Sequence, residues 1–160
     1  MFNLSGIEIY EVIHENDTVS VYRGYSTVKQ KPVIVKVAKK TNNRSSGVSN
    51  LIHEYEITSR LNIENIIKPM ETHHMDLFSA TVIEGIEGIS LSRYIKDNIL
   101  NRSEGIESIN EFLDIAISIT ENICRLHQEG LILRNLNPDG ILINPDNAKT
   151  YIIDLVVQSI

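Results

Sequence analysis

Up to about Ile83 the apolar positions come in short runs with the period of strands. "IEIYEVI" and "VSVYRGYS" alternate, or carry β-branched and aromatic residues, and the polar turn "HENDT" separates them, which predicts two strands. "KPVIVKVAKK" predicts a third, with Pro32 at its start, where a missing N–H is tolerated. "TNNRSSGVSN" predicts a polar loop. Leu51, Tyr55, Thr58 and Leu61 then line one face of a helix over residues 50–61. "IIKPMETHHMDLFSATVIEG" predicts two further strands around a polar turn. Five strands with one helix after the third make a compact α+β unit.

From Ser90 the pattern turns helical. "ISLSRYIKDNI" predicts a short helix and "NRSEGIES" a polar connector. "SINEFLDIAISITENICRLHQEG" is the clearest helix, with Ser108 as its cap and Glu111 three residues on as the second half of a capping box. Ile109, Phe112, Leu113, Ala116, Thr120, Ile123 and Leu126 trace its apolar stripe, and Gly130 supplies the stop. Ile115, Ile117 and Ile119 widen that stripe. A helix apolar on more than one side expects partners on more than one side. Self-association or docking to a further signalling domain is therefore expected.

Composition narrows the classes. The 160 residues carry a net charge of −6, which disfavours nucleic acid and anionic membranes as partners. No run approaches the roughly 18 apolar residues that span a bilayer. The first residues lack a basic region followed by an apolar run, so no signal peptide is expected. Cys124 is the single cysteine, expected as a buried small residue, and no intrachain disulfide can form. These features fit a cytoplasmic protein.

Six stretches then fall in a familiar order: "VYRG", "VIVKV", "HEYEITSRLNIENIIKP", "VIEGIEGISLSRYI", "RLHQEGLILRNLNPDGILIN" and "IIDL". Together they resemble a eukaryotic-type serine/threonine protein kinase over nearly the whole chain. The nearest likeness is the N-terminal kinase module of bacterial hybrid sensor histidine kinases, which place it ahead of an ATPase region. The resemblance implies a protein-kinase-like α+β fold. Residues 1–84 would form a five-stranded antiparallel small lobe with one helix, and residues 85–160 a truncated helical large lobe that ends after the metal-binding strand.

The resemblance also implies a site. Lys36 would hold the ATP phosphates, because adjacent anions need a fixed cation, and Glu54 would orient it. Glu56 would leave the helix on another face. Ile83 would stand in the gating position, with Glu84, Gly85 and Ile86 as backbone contacts to the base. Ile13, Val21, Val35 and Leu142 would wall the adenine. Asp154 in "IIDL" would hold Mg²⁺, with Leu155 in place of the packing phenylalanine and Val156 in place of glycine.

Departures from the kinase pattern concentrate where the chemistry happens. The three glycine positions of the phosphate-covering loop hold His14, Asn16 and Val19, so close backbone approach to phosphate is lost. Leu133-Arg134-Asn135 replaces His-Arg-Asp. An asparagine at the base position has almost no basicity. Asn137 replaces the lysine that steadies the phosphoryl group, and Gly140 replaces the asparagine that binds a second Mg²⁺. Arg134 keeps its bracing position. His53, His73 and His74 do not make a metal site, since adjacent histidines diverge. His127 is expected in packing or a polar network. No Ser-His-Asp order and no glycine-rich dinucleotide motif is present. The sequence runs to Ile160, shortly after Asp154, so a substrate platform is not expected within this stretch.

Three functions remain open on these residues. One is a pseudokinase acting as a regulatory or nucleotide-sensing module in bacterial two-component signal transduction. The second is the N-terminal part of an active serine/threonine kinase. The third is an interaction scaffold that binds no nucleotide.

Overall fold

The computed structural model describes residues 4–15, 17–40, 46–99 and 106–159, with the backbone alone at positions 46, 99, 106–108 and 159. They divide into two compact units. One comprises residues up to 61 together with 68–86, and the other residues 62–67 together with 87 onward.

The first unit is a five-stranded antiparallel sheet with one helix. Its strands are β1 (Ile7–Glu15), β2 (Val19–Ser26), β3 (Lys31–Lys39), β4 (Pro69–His74) and β5 (Phe78–Glu84), in the order β1-β2-β3-β5-β4. The fold expected from the sequence is the one found. Strand β3 is central and buried at six consecutive positions. Its alternation sorts those positions onto two faces. Val33, Val35 and Val37 join Leu4, Ala80 and Val82 in a core cluster, flanked by Ile7, Tyr22, Met70 and Phe78. Ile34, Lys36 and Ala38 take the other face, with Ile83, Thr81 and Ser79 opposite them on β5.

Helix α1 runs over Ser46–Thr58, so it starts and stops earlier than its apolar spacing predicts. The start is decided by packing. A Cβ at Gly47 would stand 3.0 Å from the Thr18 carbonyl oxygen, so the first turn lies directly on the β1–β2 hairpin. At the other end the Thr58 hydroxyl donates back to the Glu54 carbonyl at 2.7 Å. Leu61 falls beyond the helix.

The second unit is mixed. Short strands β6 (Ile89–Ser90), β8 (Ile141–Ile143) and β9 (Thr150–Ile152) form one sheet, and β7 (Leu131–Leu133) pairs with β10 (Val157–Ser159) in another. Helix α2 (Leu91–Tyr94) continues as a π-helical turn over Ile95–Ile99, and the Ser90 side chain caps it. Helix α3 spans Ile106–Gln128. It therefore begins before Ser108, which is not its cap. Glu111 accepts a hydrogen bond from the Tyr94 hydroxyl. Gly130 stops the helix as expected, at φ 72°.

The buried face of α3 is not the expected stripe. Ile115, Asn122 and Leu126 are buried, whereas Ile109, Phe112, Leu113 and Ile117 are 58%, 59%, 47% and 55% exposed. The reason is a polar anchor among the apolar contacts. Asn122 is fully buried and donates to the Thr150 carbonyl at 2.9 Å and to Thr150 Oγ1 at 3.1 Å. Its own carbonyl accepts from Asn65 at 3.2 Å. Ser118 adds a bond with Thr150 Oγ1 at 2.9 Å. These bonds fix the rotation of α3 and bind residues 62–67 into this unit. Asn122→Ala strands two buried groups, each costing about 1–3 kcal/mol, so a loss of about 2–6 kcal/mol is expected in urea unfolding. A loss below ~1 kcal/mol would show that the anchor does not hold the helix.

Cys124 is exposed rather than buried, because it lies off the Ile115–Asn122–Leu126 face. His127 is also exposed and takes no packing role. Asn65, Ile117, Ser118, Arg125 and Lys149 line an open groove beside α3. There Lys149 donates to Glu64 at 3.0 Å. That bond and the nearby charges of Lys149 and Arg125 hold the Glu64 carboxyl below the usual carboxylate range, and the same bond raises the Lys149 ammonium. The contribution of Glu64 is present above its unfolded pKa and is lost as pH falls through its lowered folded value. No described helix is long and apolar enough to cross a membrane.

Candidate functional site

In the first unit the key pair is Lys36 and Glu54. Strand β3 brings Lys36 onto the face that α1 covers, and the ammonium donates to Glu54 Oε1 at 2.6 Å as well as to Oε2. Lys36 is 2% exposed and Glu54 13%. A buried ammonium needs a carboxylate at this range. Glu56 is exposed on a different side of the helix.

The neighbours of Lys36 follow from register. Val21 on β2 and Thr81 on β5 stand directly opposite it. Ile34, two residues earlier on β3, shares its face and pairs with Ile83. Val35 does not. It lies in the cluster on the far face with Val33 and Val37, so it is not a neighbour of Lys36. Ile34 rather than Val35 shares the face of Lys36, and strand alternation counted from Lys36 would have found it. Ile13 sits in a β-bulge between Val12 and His14.

Thr81 was not singled out from the sequence. It is 4% exposed, and its Oγ1 is buried with no hydrogen-bond partner. Thr81→Val keeps the shape and removes a stranded hydroxyl, so a gain of about 1 kcal/mol in urea unfolding is expected. A loss of stability on this substitution would show that the hydroxyl is satisfied in solution.

The ends of β1 and β2 stay paired as they approach their turn. His14 pairs with Val21 and Glu15 with Ser20, so the ladder continues almost to the tip. Val19 is itself in the ladder, opposite Ala38. Asn16 lies outside the described residues. Nothing in His14 or Val19 supplies the open backbone that a phosphate-covering loop needs.

The second unit gathers the remaining positions. Strand β7, which leads into the loop, pairs with β10, which follows Asp154, and the Arg134 amide donates to the Val156 carbonyl at 2.8 Å. Arg134 and Asn135 are exposed. The Asn137 side chain caps the turn over Pro138–Gly140, accepting from the Gly140 amide at 2.9 Å. The Gly140 carbonyl accepts from the amides of Ile153 at 2.9 Å and Asp154 at 3.3 Å. A Cβ at Gly140 would come within 2.8 Å of the Asp154 Cβ. Leu142 is fully buried in β8, between Ile141 and Ile143. Leu155 is buried beside Asp154.

This geometry bears on the nucleotide and metal that a kinase-like domain uses. The prearranged Lys36–Glu54 pair fits a phosphate ligand. Asp154 fits one metal ion, as a hard oxygen donor. Gly140 offers no second ligand, and its contact with Asp154 leaves no room for one as the chain stands. Among the described residues no group of three His, Cys, Asp or Glu side chains could hold a metal on its own. His73 faces Glu71 at 3.7 Å while His74 meets Ser79 at 3.2 Å, so the two histidines diverge.

A five-stranded sheet with a lysine on its third strand, a glutamate on the following helix, and a loop and aspartate bracketed by short strands defines a protein-kinase-like domain. Sequence comparison agrees: the family profile of the protein kinase domain matches residues 8–158, and the chain belongs to that family. It is 29% identical over 135 residues to human calcium/calmodulin-dependent protein kinase type IV, covering 84% of this chain and 26% of that protein. It is 26% identical over 147 residues to calcium/calmodulin-dependent protein kinase type II of Schizosaccharomyces pombe, covering 89% and 28%. It is 23% identical over 145 residues to the serine/threonine-protein kinase PLK4 of Nematostella vectensis, covering 90% and 14%. The chain thus spans under a third of the length of each of these relatives.

Proposed function

We propose that this protein-kinase-like domain is catalytically impaired and acts as a regulatory, nucleotide-sensing module in bacterial signal transduction. The observation that carries this reading is an asymmetry. The Lys36–Glu54 pair is assembled and buried, while base, phosphoryl-steadying and second-metal positions hold Asn135, Asn137 and Gly140. Lys36 would be the contact for nucleotide phosphate, and Asp154 would be an oxygen ligand for Mg²⁺. The metal would neutralise phosphate charge.

Binding is expected to be weak. Backbone N–H contacts to phosphate are worth about 1.5–3 kcal/mol each, and the His14–Val19 hairpin withdraws them. Losing two moves a micromolar site towards millimolar. A thermal-shift titration of the parent and of Lys36→Met with Mg²⁺–ATP tests this. A shift in the parent with a high-micromolar midpoint, absent in the variant, is expected. No shift in the parent at millimolar nucleotide would put the scaffold reading in front.

Ile109, Phe112, Leu113 and Ile117 favour a partner surface as well, since exposed apolar patches of several hundred Å² are uncommon on monomers. Self-association through this face is expected in sedimentation at tens of micromolar. A monodisperse monomer would remove it.

A further inference from the structure

The end of β5 and the two residues after it are held at three backbone points. The Glu84 amide donates to the Lys68 carbonyl at 3.2 Å, and the Gly85 amide to the Pro32 carbonyl at 3.1 Å. A Cβ at position 85 would stand 2.4 Å from the Pro32 carbonyl carbon, so only glycine lets the chain lie this close. The third point is Ile86, whose carbonyl accepts from Arg23 Nη1 at 2.7 Å, across 63 positions of sequence.

Arg23 is itself held. Its Nε donates to Glu11 Oε2 at 2.9 Å, and its side chain is 14% exposed. Register places it on β2 between Glu11 on β1 and Ile34 on β3. A guanidinium donates along two edges in fixed directions. One edge of Arg23 therefore serves β1 and the other serves residue 86. A lysine ammonium on a flexible stem cannot hold both directions at once.

We propose that Arg23, oriented by Glu11, is a positioning residue that fixes residues 84–86 and so shapes the base end of the nucleotide site. The inference rests on the nucleotide-binding reading above and adds a determinant to it. Lys36 governs affinity through the phosphates, and the Glu11–Arg23 pair governs it through the linker that meets the base.

The test uses the whole chain and the variants Arg23→Met, Arg23→Lys, Glu11→Gln and Lys36→Met. Amide hydrogen exchange at Glu84 and Gly85 is measured without nucleotide. Affinities are measured for Mg²⁺–ATP and for Mg²⁺–tripolyphosphate, which has phosphates and no base. Arg23→Met is expected to speed exchange at Glu84 and Gly85 about tenfold while amides of β3 stay protected, and to weaken ATP about tenfold while tripolyphosphate holds. Arg23→Lys is expected not to rescue, Glu11→Gln to give a smaller effect of the same kind, and Lys36→Met to weaken both ligands. Unchanged exchange at residues 84 and 85 would overturn the clamp, and so would faster exchange across the whole sheet. Parallel weakening of ATP and tripolyphosphate would overturn its link to the base. A parent that binds neither ligand overturns the nucleotide reading and the affinity half of this inference, while the exchange data still uphold or remove the clamp.

Discussion

Incubated with labelled Mg²⁺–ATP and a generic protein substrate, the chain is expected to incorporate no phosphate, and Asn135→Asp is expected not to restore transfer. Loss of a general base alone typically costs about 10²–10⁴-fold. Asparagine at 135 is acceptor and donor but not base. Restoring the carboxylate leaves two further defects. Asn137 is neutral and supplies no cation to the transferred group, and its side chain caps the Gly140 amide. Gly140 is no metal ligand, and a side chain there meets the Asp154 Cβ, 2.8 Å from where its own Cβ would be. Gly140→Asn is therefore expected to displace Asp154 rather than to add a second metal ligand. The double variant Asn135→Asp with Gly140→Asn should stay as inactive as either single one. Robust Mg²⁺-dependent incorporation by the parent, lost in Lys36→Met, would reverse this reading and make the chain part of a working kinase.

Lys36→Ala is expected to cost stability as well as nucleotide. The substitution strands Glu54, which is 13% exposed, beside a cavity left by a lysine that is 2% exposed. Breaking a buried pair by removing one partner costs about 3–5 kcal/mol. That is a large part of the roughly 5–15 kcal/mol by which domains are stable, and at about 2–4 °C per kcal/mol for this size it lowers Tm by about 6–20 °C. The double variant Lys36→Met with Glu54→Leu removes both charges and fills the space. It is expected to regain most of the lost stability, because an apolar pair often matches a buried ion pair, and still not to respond to Mg²⁺–ATP. Urea unfolding of the three proteins decides it. If Lys36→Ala loses less than ~1 kcal/mol, the pair does not tie β3 to α1. If the double variant is as weak as Lys36→Ala, the cost lies in packing rather than charge.

The sequence by itself determined the five strands, the helix after the third, the long helix of the second half with its glycine stop, and the family. Each rests on local pattern or motif order, which need no knowledge of the partner surface. The sequence reading puts Val35 beside the nucleotide, whereas the sheet turns Val35 to the far face and leaves Ile34 on the face of Lys36. Tertiary structure decided the rest. Periodicity shows which residues lie together on α3, and several of its faces are apolar. The choice among them came from Asn122, whose amide meets Asn65 and Thr150 from distant parts of the chain. The early start of α1 came from the close approach of Gly47 to Thr18. The hold of Arg23 on Ile86 joins positions 63 apart, and no local pattern encodes where a guanidinium finds a carbonyl. Hydrogen bonds between remote segments are specified by the folded backbone, which is why the elements were legible one by one and their anchors were not.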